Sequence, residues 1–450
     1  MSICDDIVSY ARRAGADECE AVFCSKRIIT VRVTDSEIAE VKETEDVGAG
    51  TRVICGKRIS SSQSTTLDSV YLVDAAIGAS HRVAKREFWK SFPADGATYH
   101  PVEKTNDTEL WHIDAVSASD IAQEMINSAL HPKVTSISGS LNIVCEEFEI
   151  MNTSGLKKNE KATYIAGIIN CDGGEPQVSG IGQSNSRTLN DFNAQSIGFE
   201  AARMCVDSQN PRQADHETTC IIFEPMAVGE ILTFVVAPNF SLKTYSEGRS
   251  CFSEKIGSNI AADKFNLTDW PLAENSLGGR SFDDEGYPTK NTQFVKDGIF
   301  CSTYSDSYNA FKEGFQTSGN ACRLGSPLGR TPEPIPTHAP HNLTVEAGNT
   351  SRDEIIKDTK NGLIVSRLWY TYAVNPIQGD FSCTARSGIW SIRNGEIVHP
   401  TKQVRIIHNL KKMLQNITAI ADNQRTVLSW AANPVTAPTI RCDGITISPI

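Results

Sequence analysis

Two runs of strand-forming residues, Thr292–Lys296 and residues 299–304, are separated by the dipeptide Asp297-Gly298. A two-residue Asp-Gly loop between apolar alternations reverses the chain tightly, because both turn positions need φ > 0. The runs must therefore pair as an antiparallel hairpin. It sits inside a punctuated stretch, residues 276–323. Gly278-Gly279 and Asp284-Glu285-Gly286 break the chain before the hairpin, with the adjacent acids Asp283, Asp284 and Glu285 just ahead of it. Gly319-Asn320, a second pair tolerant of positive φ, closes the stretch. Further hairpin signals at Asn394-Gly395 and Asp443-Gly444 make the chain β-rich from residue 291 onward.

Upstream the pattern is mixed. Ser2 caps a short helix with Asp5 and Asp6 in its first turn and Gly15 at its end. Residues 20–33 read as one or two strands, and 48–59 as a hairpin turning at Gly56-Lys57. Thr65-Thr66-Leu67-Asp68, an Asp-bearing relative of the capping box, opens a helix to about Val83 whose stripe is Leu67, Val70, Tyr71 and Ile77. A polar connector, 93–109, precedes a helix on Ile121, Met125 and Ala129. Residues 140–151 and 163–171 read as paired strands, and 191–206 as a helix. After a polar boundary at 207–217 come a buried strand at 218–223, an apolar helix at 227–237 and a further helix near 250–262. Residues 325–340, with five prolines, read as an extended surface loop. The expected fold is α+β: an N-terminal domain of helices with antiparallel strands, 1–207, and a C-terminal β-rich domain of twisted antiparallel sheets and hairpins, 208–450.

Composition excludes several classes of function. A net charge of −11 argues against a nucleic-acid surface, which needs clustered Lys and Arg. No apolar run approaches the ~18 residues that span a bilayer. Asp5 and Asp6 argue against a secretory signal. Thirteen scattered cysteines, never spaced C-x-x-C, read as reduced cytosolic thiols. The expected compartment is the cytoplasm, with no membrane and no nucleic-acid partner.

The string GGRSFDDEGYPT, the hairpin VKDGIF and the later TSGNA resemble the central block of the TldD/PmbA family, once named for modulating DNA gyrase. The resemblance continues through residues 341–348, Gly379-Asp380-Phe381-Ser382 and residues 392–397. It covers most of the chain, best from about Asn152 onward. Catalytic members, the TldD branch, are zinc peptidases whose helix carries H-E-x-x-x-H, a spacing that gathers two imidazoles and a general-base Glu around metal-bound water. Here Glu230 keeps the acid, but Gly229 and Phe234 stand where the histidines would be. The Cys-Gly-Lys ligand motif of that branch is absent, Cys442 lying in a different context. This departure resembles the partner branch, PmbA (also called TldE).

Other metal or nucleophile sites are weak on their residues. His216-Glu217 opens a strand, where the two side chains diverge, and His338 and His341 share a proline-rich loop with no adjacent acid or thiol. Ser382 has no visible histidine partner, and residues 50–57 fail as a phosphate loop because Arg58 replaces the required Ser or Thr. On extended backbone Asp283 and Glu285 share a face that could bind a cation or a basic peptide side chain. A hydrogen-bonded turn, with the acids capping backbone N–H groups, is the favoured reading.

The resemblance implies a subunit without catalytic or metal residues of its own. Zinc is then expected in a TldD-type partner, with dimerisation through that partner or a second copy. It further implies a groove for unfolded or extended peptides, with Asp283, Asp284, Glu285, Gly286, Gly319, Asn320, Gly379, Asp380 and Ser382 as candidate lining and Glu230 as a remnant of the zinc motif. Strand addition to a sheet edge is a suitable grip. Two alternatives stay open: a peptidase in its own right with an unrecognised centre, and a non-enzymatic regulator of gyrase or antitoxin proteins.

Overall fold

A computed structural model describes residues 2–214, 218–429 and 433–450. The N-terminal half is one six-stranded antiparallel sheet with helices. Its elements run α1 (Ile3–Arg13), β1 (Glu18–Thr34), β2 (Glu37–Cys55), β3 (Arg58–Ser64), α2 (Ser69–Ser80), α3 (Thr108–His112), α4 (Ala115–Ala129), β4 (Ser136–Asn152), β5 (Lys157–Gly173), β6 (Val178–Ser186) and α5 (Ala194–Asp207). The strand order is β3-β2-β1-β4-β5-β6. Ser2 closes a capping box with Asp5 on α1, so two otherwise orphaned amides are satisfied locally.

Alternation along β1 assigns the two faces of this sheet. Cys19, Ala21, Ile29, Val31 and Val33 pack on the helices. Val22, Cys24 and Ile28 point the other way, where Phe282, Leu277 and Leu328 of the C-terminal half meet them. That second face also carries charges: Glu20, Lys26, Arg52 and Glu146 are all buried there.

The C-terminal half comprises β7 (Thr218–Phe223), α6 (Pro225–Ile231), α7 (Leu242–Ser246), β8 (Leu267–Asp269), β9 (Thr292–Lys296), β10 (Ile299–Phe300), α8 (Ser307–Lys312), β11 (Ala321–Cys322), β12 (Thr337–His338), β13 (Leu343–Val345), α9 (Arg352–Lys357), β14 (Asn361–Asn375), β15 (Asp380–Arg393), β16 (Glu396–Pro400), β17 (Val404–Asn409), α10 (Leu410–Gln415), β18 (Ile417–Ile420), β19 (Arg425–Leu428), β20 (Pro434–Ala437) and β21 (Ile440–Pro449). Strands β14, β7, β21, β17 and β15 close into a barrel through the β14–β15 pairing, with β16 and β18 attached. A second sheet, β10-β9-β8-β13-β20-β19, shares the large core beneath it. The α+β architecture matches the expectation from sequence.

The hairpins at Asp297-Gly298 and Asn394-Gly395 form, with positive φ at all four residues. Several local expectations need correction. Helix α2 starts later than expected, with Asp68 and not Thr65 as its cap, and most of its assigned stripe faces solvent (Val70 46%, Tyr71 60% exposed): only Ile77 packs partly on the core, which Leu72, Val73 and Ala76 enter because α1 packs on their side. Residues 250–262 form no helix: the Asn239 side chain and the Ser250 hydroxyl hold the backbone there in turns. The helix expected at 227–237 is α6 followed by a π-turn at Leu232–Val236. Asp443-Gly444 is a bulge inside β21, not a hairpin. The proline-rich segment is not a surface loop either. It threads against the N-terminal sheet, with Leu328 and Arg330 buried and Pro332 so close to Gly50 that no side chain fits at that glycine. Asp35-Ser36, a turn with φ of +52° and +68° that the sequence reading passed over, joins β1 to β2.

Candidate functional site

The acid turn lies where the two halves meet, and its carboxylates face inward. Asp283, Asp284 and Glu285 are at most 2% exposed. Asp283 accepts from the amides of Glu285, Tyr287 and Ala321 at 3.0, 2.9 and 3.1 Å. Burial, and next the neighbouring Glu285, pushes its carboxyl up, against those three amides. Burial also opposes charge on Asp284, yet Arg280, Arg330 and Arg323 hold it well below the usual carboxylate range.

These groups form one buried network across the seam. Arg330 reaches Asp284 (2.7 Å) and, from the N-terminal sheet, Glu146 (3.2 Å) and Glu160 (2.6 Å). Arg52 bridges Glu20 (3.1 Å) and Glu285 (3.0 Å), and Arg323 takes the other oxygen of Glu20 at 2.7 Å. Glu285 also accepts from the Ser307 amide and hydroxyl, both at 2.8 Å.

Gly286 has a positive φ and its carbonyl accepts from the Tyr99 hydroxyl at 2.9 Å. Gly319 pairs through its carbonyl with His341 Nε2 at 2.9 Å, and Asn320 donates to Asp269 at 2.6 Å. The Ala321 amide ties that segment to Asp283, so residues 283–286 and 319–320 are brought together. Gly379, Asp380 and Ser382 lie apart, at the β14–β15 turn of the barrel. There Asp380 accepts from Asn409 (2.8 Å) and Ser382 donates to the Ile406 carbonyl (3.3 Å).

Glu230 stands elsewhere. It projects from α6 into a cavity of about 240 Å³ between the N-terminal sheet and the C-terminal half. Asn142, Ile168, Ile181, Gln183 and Ser184 form one wall; Met226, Leu328, Arg367, Leu428 and Ser429 form the other. None of the nine other candidate residues lines this cavity. Glu230 is 8% exposed and accepts no hydrogen bond among the described residues. Burial pushes its carboxyl up to about 7, partly offset through space by Arg367. Arg367 itself donates to Asn170 at 3.1 Å and lies over the Trp369 ring. Sequence reasoning missed Arg367, Gln183 and Asn142, whose positions inside long strands carry no local signal.

The α6 site does not fit zinc. A Cβ at Gly229 would sit 2.5 Å from Val427 Cγ2, so a histidine there is accommodated only if the stiff Val427 side chain gives way. Cys442 lies in the barrel core, its thiol pushed up chiefly by burial and further by the nearby Cys220 and Asp443. Among the described residues, no group of three or more His, Cys, Asp or Glu could hold a metal ion. His338 bonds to Asp306 and Ser241, away from the partner of His341. His216-Glu217 lies outside the described residues.

The chain resembles known proteins over nearly its whole length. It is 22% identical to Metalloprotease PmbA of Escherichia coli O157:H7, over 95% of this chain and 93% of that one. It is also 22% identical to a Metalloprotease TldD homolog of Buchnera aphidicola, over 86% and 82%. TldE of Thermococcus kodakarensis superposes with a TM-score of 0.85 over 99% of this chain and all of that one, at 22% identity. A Thermotoga maritima protein provisionally described as a modulator of a DNA gyrase gives 0.87 over 99% of each, at 19% identity. The family model described as PmbA/TldA metallopeptidase C-terminal domain matches residues 216–449, more than half of the chain. The chain therefore belongs to the PmbA/TldD family.

Proposed function

We propose that this chain is a PmbA/TldE-like, non-catalytic subunit of a cytoplasmic TldD/TldE-type zinc metalloprotease. It comprises two domains, 1–207 and 208–450, and holds extended peptide while a TldD-type partner supplies the zinc. One observation carries the reading: the acid of the zinc motif is present without its ligands, and Gly229 is wedged against Val427 where an imidazole would have to enter. Thirteen free cysteines agree with a reducing compartment. The acid turn contributes by fixing the seam between the domains. Metal analysis of the isolated chain, dialysed against micromolar zinc, tests the reading: no stoichiometric zinc is expected. One tightly held zinc per chain would overturn it.

A second reading has one observation in its favour. A carboxyl that titrates near 7 is poised as a general acid or base. Peptide hydrolysis by the isolated chain that disappears on Glu230→Gln would establish that reading instead.

A further inference from the structure

We propose that the cavity beside Glu230 binds the cationic side chain, lysine or arginine, of an extended peptide. This rests on the peptide-holding reading and adds a side-chain preference to it.

At about 240 Å³ the space lies below the range of whole-ligand pockets and suits a single long side chain. Ile168, Ile181, Met226, Leu328 and Leu428 offer apolar walls for a methylene stem. The oxygens of Glu230, unbonded among the described residues, face this space, and an unpaired buried carboxylate is costly until a donor or cation meets it. Asn142 and Gln183 present further amide groups. Of the charged groups on the elements packed against α6, Arg367 of β14 lines the same cavity and acts on Glu230 through space, with its guanidinium hydrogen-bonded to Asn170 and lying over Trp369, and Arg425 of β19 is paired with Glu200 at 2.7 Å. Cys383 of β15 is a buried thiol that stays neutral. Glu230 is thus the acid left to take a guest cation. Its carboxyl ionises near pH 7, so at pH 8 it carries the negative charge that a guest cation would meet and at pH 5.5 that charge is largely lost, while Arg367 stays protonated at both.

The test uses the full chain and three dye-labelled alanine hexapeptides with a central lysine, norleucine or glutamate, read by fluorescence anisotropy. At pH 8 the lysine peptide is expected to bind about ten-fold tighter than the norleucine peptide, the size of one charge-assisted contact. The ratio should fall toward one at pH 5.5 and in Glu230→Gln, whose folding is checked by its melting curve. Equal affinities at pH 8, a lysine preference that survives Glu230→Gln, or tightest binding of the glutamate peptide would each overturn the proposal while leaving the peptide-holding reading intact. Cadaverine is the second arm. If it binds while the three peptides bind alike, the site takes a free amine and the proposal fails. Absence of binding by all three peptides sinks the peptide-holding reading, and this inference with it.

Discussion

A single carboxyl sets the pH behaviour at the residue scale. Glu230 titrates near 7 in the fold against about 4.5 in an unfolded chain, so the folded state binds the extra proton. Its stabilising contribution is complete below about pH 4.5 and is lost as pH rises through 7. Glu230→Gln, which mimics the protonated form, should therefore match the parent at pH 5 and exceed it at pH 8, by at most about 3 kcal/mol. Urea unfolding at the two pH values checks this; equal differences at both would mean that Glu230 is not the titrating group. His341 acts in the opposite direction. Burial, then Arg280, pushes its imidazole down to about 3, so it contributes stability above about pH 6.5 that is lost on acidification. The two groups confine maximal stability to weakly acidic or neutral conditions.

Elements decide what the lone residues cannot. Helix α6 runs against β19 so closely that Gly229 has no room for a Cβ beside Val427, a stiff β-branched neighbour. Gly229→Ala should cost about 1–2 kcal/mol by overpacking, despite alanine's better helix propensity. In a Val427→Ala background the same change should become neutral or stabilising, a coupling that a double-mutant cycle measures directly. Additive effects would show that the crowding is absent. The proline-rich segment offers a second case. Arg330 anchors it to Glu146, Glu160 and Asp284, so Arg330→Met leaves buried acids unpaired and should cost about 3–5 kcal/mol. Limited proteolysis should then cut residues 325–340 first; an unchanged cleavage pattern would mean that the anchor is dispensable.

These elements also show where sequence reading succeeds. The Asp297-Gly298 and Asn394-Gly395 hairpins were legible because their turn chemistry is local. The runs at 20–33, 140–151 and 163–171 fall inside the long strands β1, β4 and β5, but the first half of β2, β6 and most of β14 and β15 went unread, and so did the buried charges on the second face of the N-terminal sheet, since charge ordinarily signals solvent. Glu20 and Arg52 are buried only because Glu285 and Arg323, more than two hundred residues away, complete them. The same long-range pairing draws in the proline-rich segment, whose composition alone suggests a surface loop. Helix α2 is apolar on several sides, so only its tertiary neighbours choose the buried face. Asp443-Gly444 has turn residues, yet pairing of β21 with β7 on both sides absorbs them as a bulge. Of the candidate site, Glu230 was legible as a motif remnant; its cavity, built by both halves of the chain, was not.

At the scale of the whole molecule, the barrel leaves an apolar face uncovered. Tyr372, Ser382 and Ile407 stand side by side in register, the outer two being 48% and 57% exposed, and Tyr370 and Val374 extend the patch along β14. A face of this kind suits the partner that the proposed function requires, because subunit interfaces place apolar and aromatic residues at their centre. Mixing the chain with a TldD-type, H-E-x-x-x-H-bearing subunit should give a stable complex by size exclusion with light scattering, with zinc recovered only in the partner. Peptide hydrolysis should appear in the complex, be absent from this chain alone, and vanish on chelation of the metal. A charge at the centre of the patch would have to be desolvated, so Tyr372→Asp combined with Ile407→Asp should weaken assembly by more than ten-fold while leaving the melting temperature of the isolated chain nearly unchanged. Assembly undiminished by the double substitution would remove this face from the interface but keep the subunit. A parent chain that stays monomeric beside every such partner, or hydrolyses peptides without one, would remove the subunit reading itself.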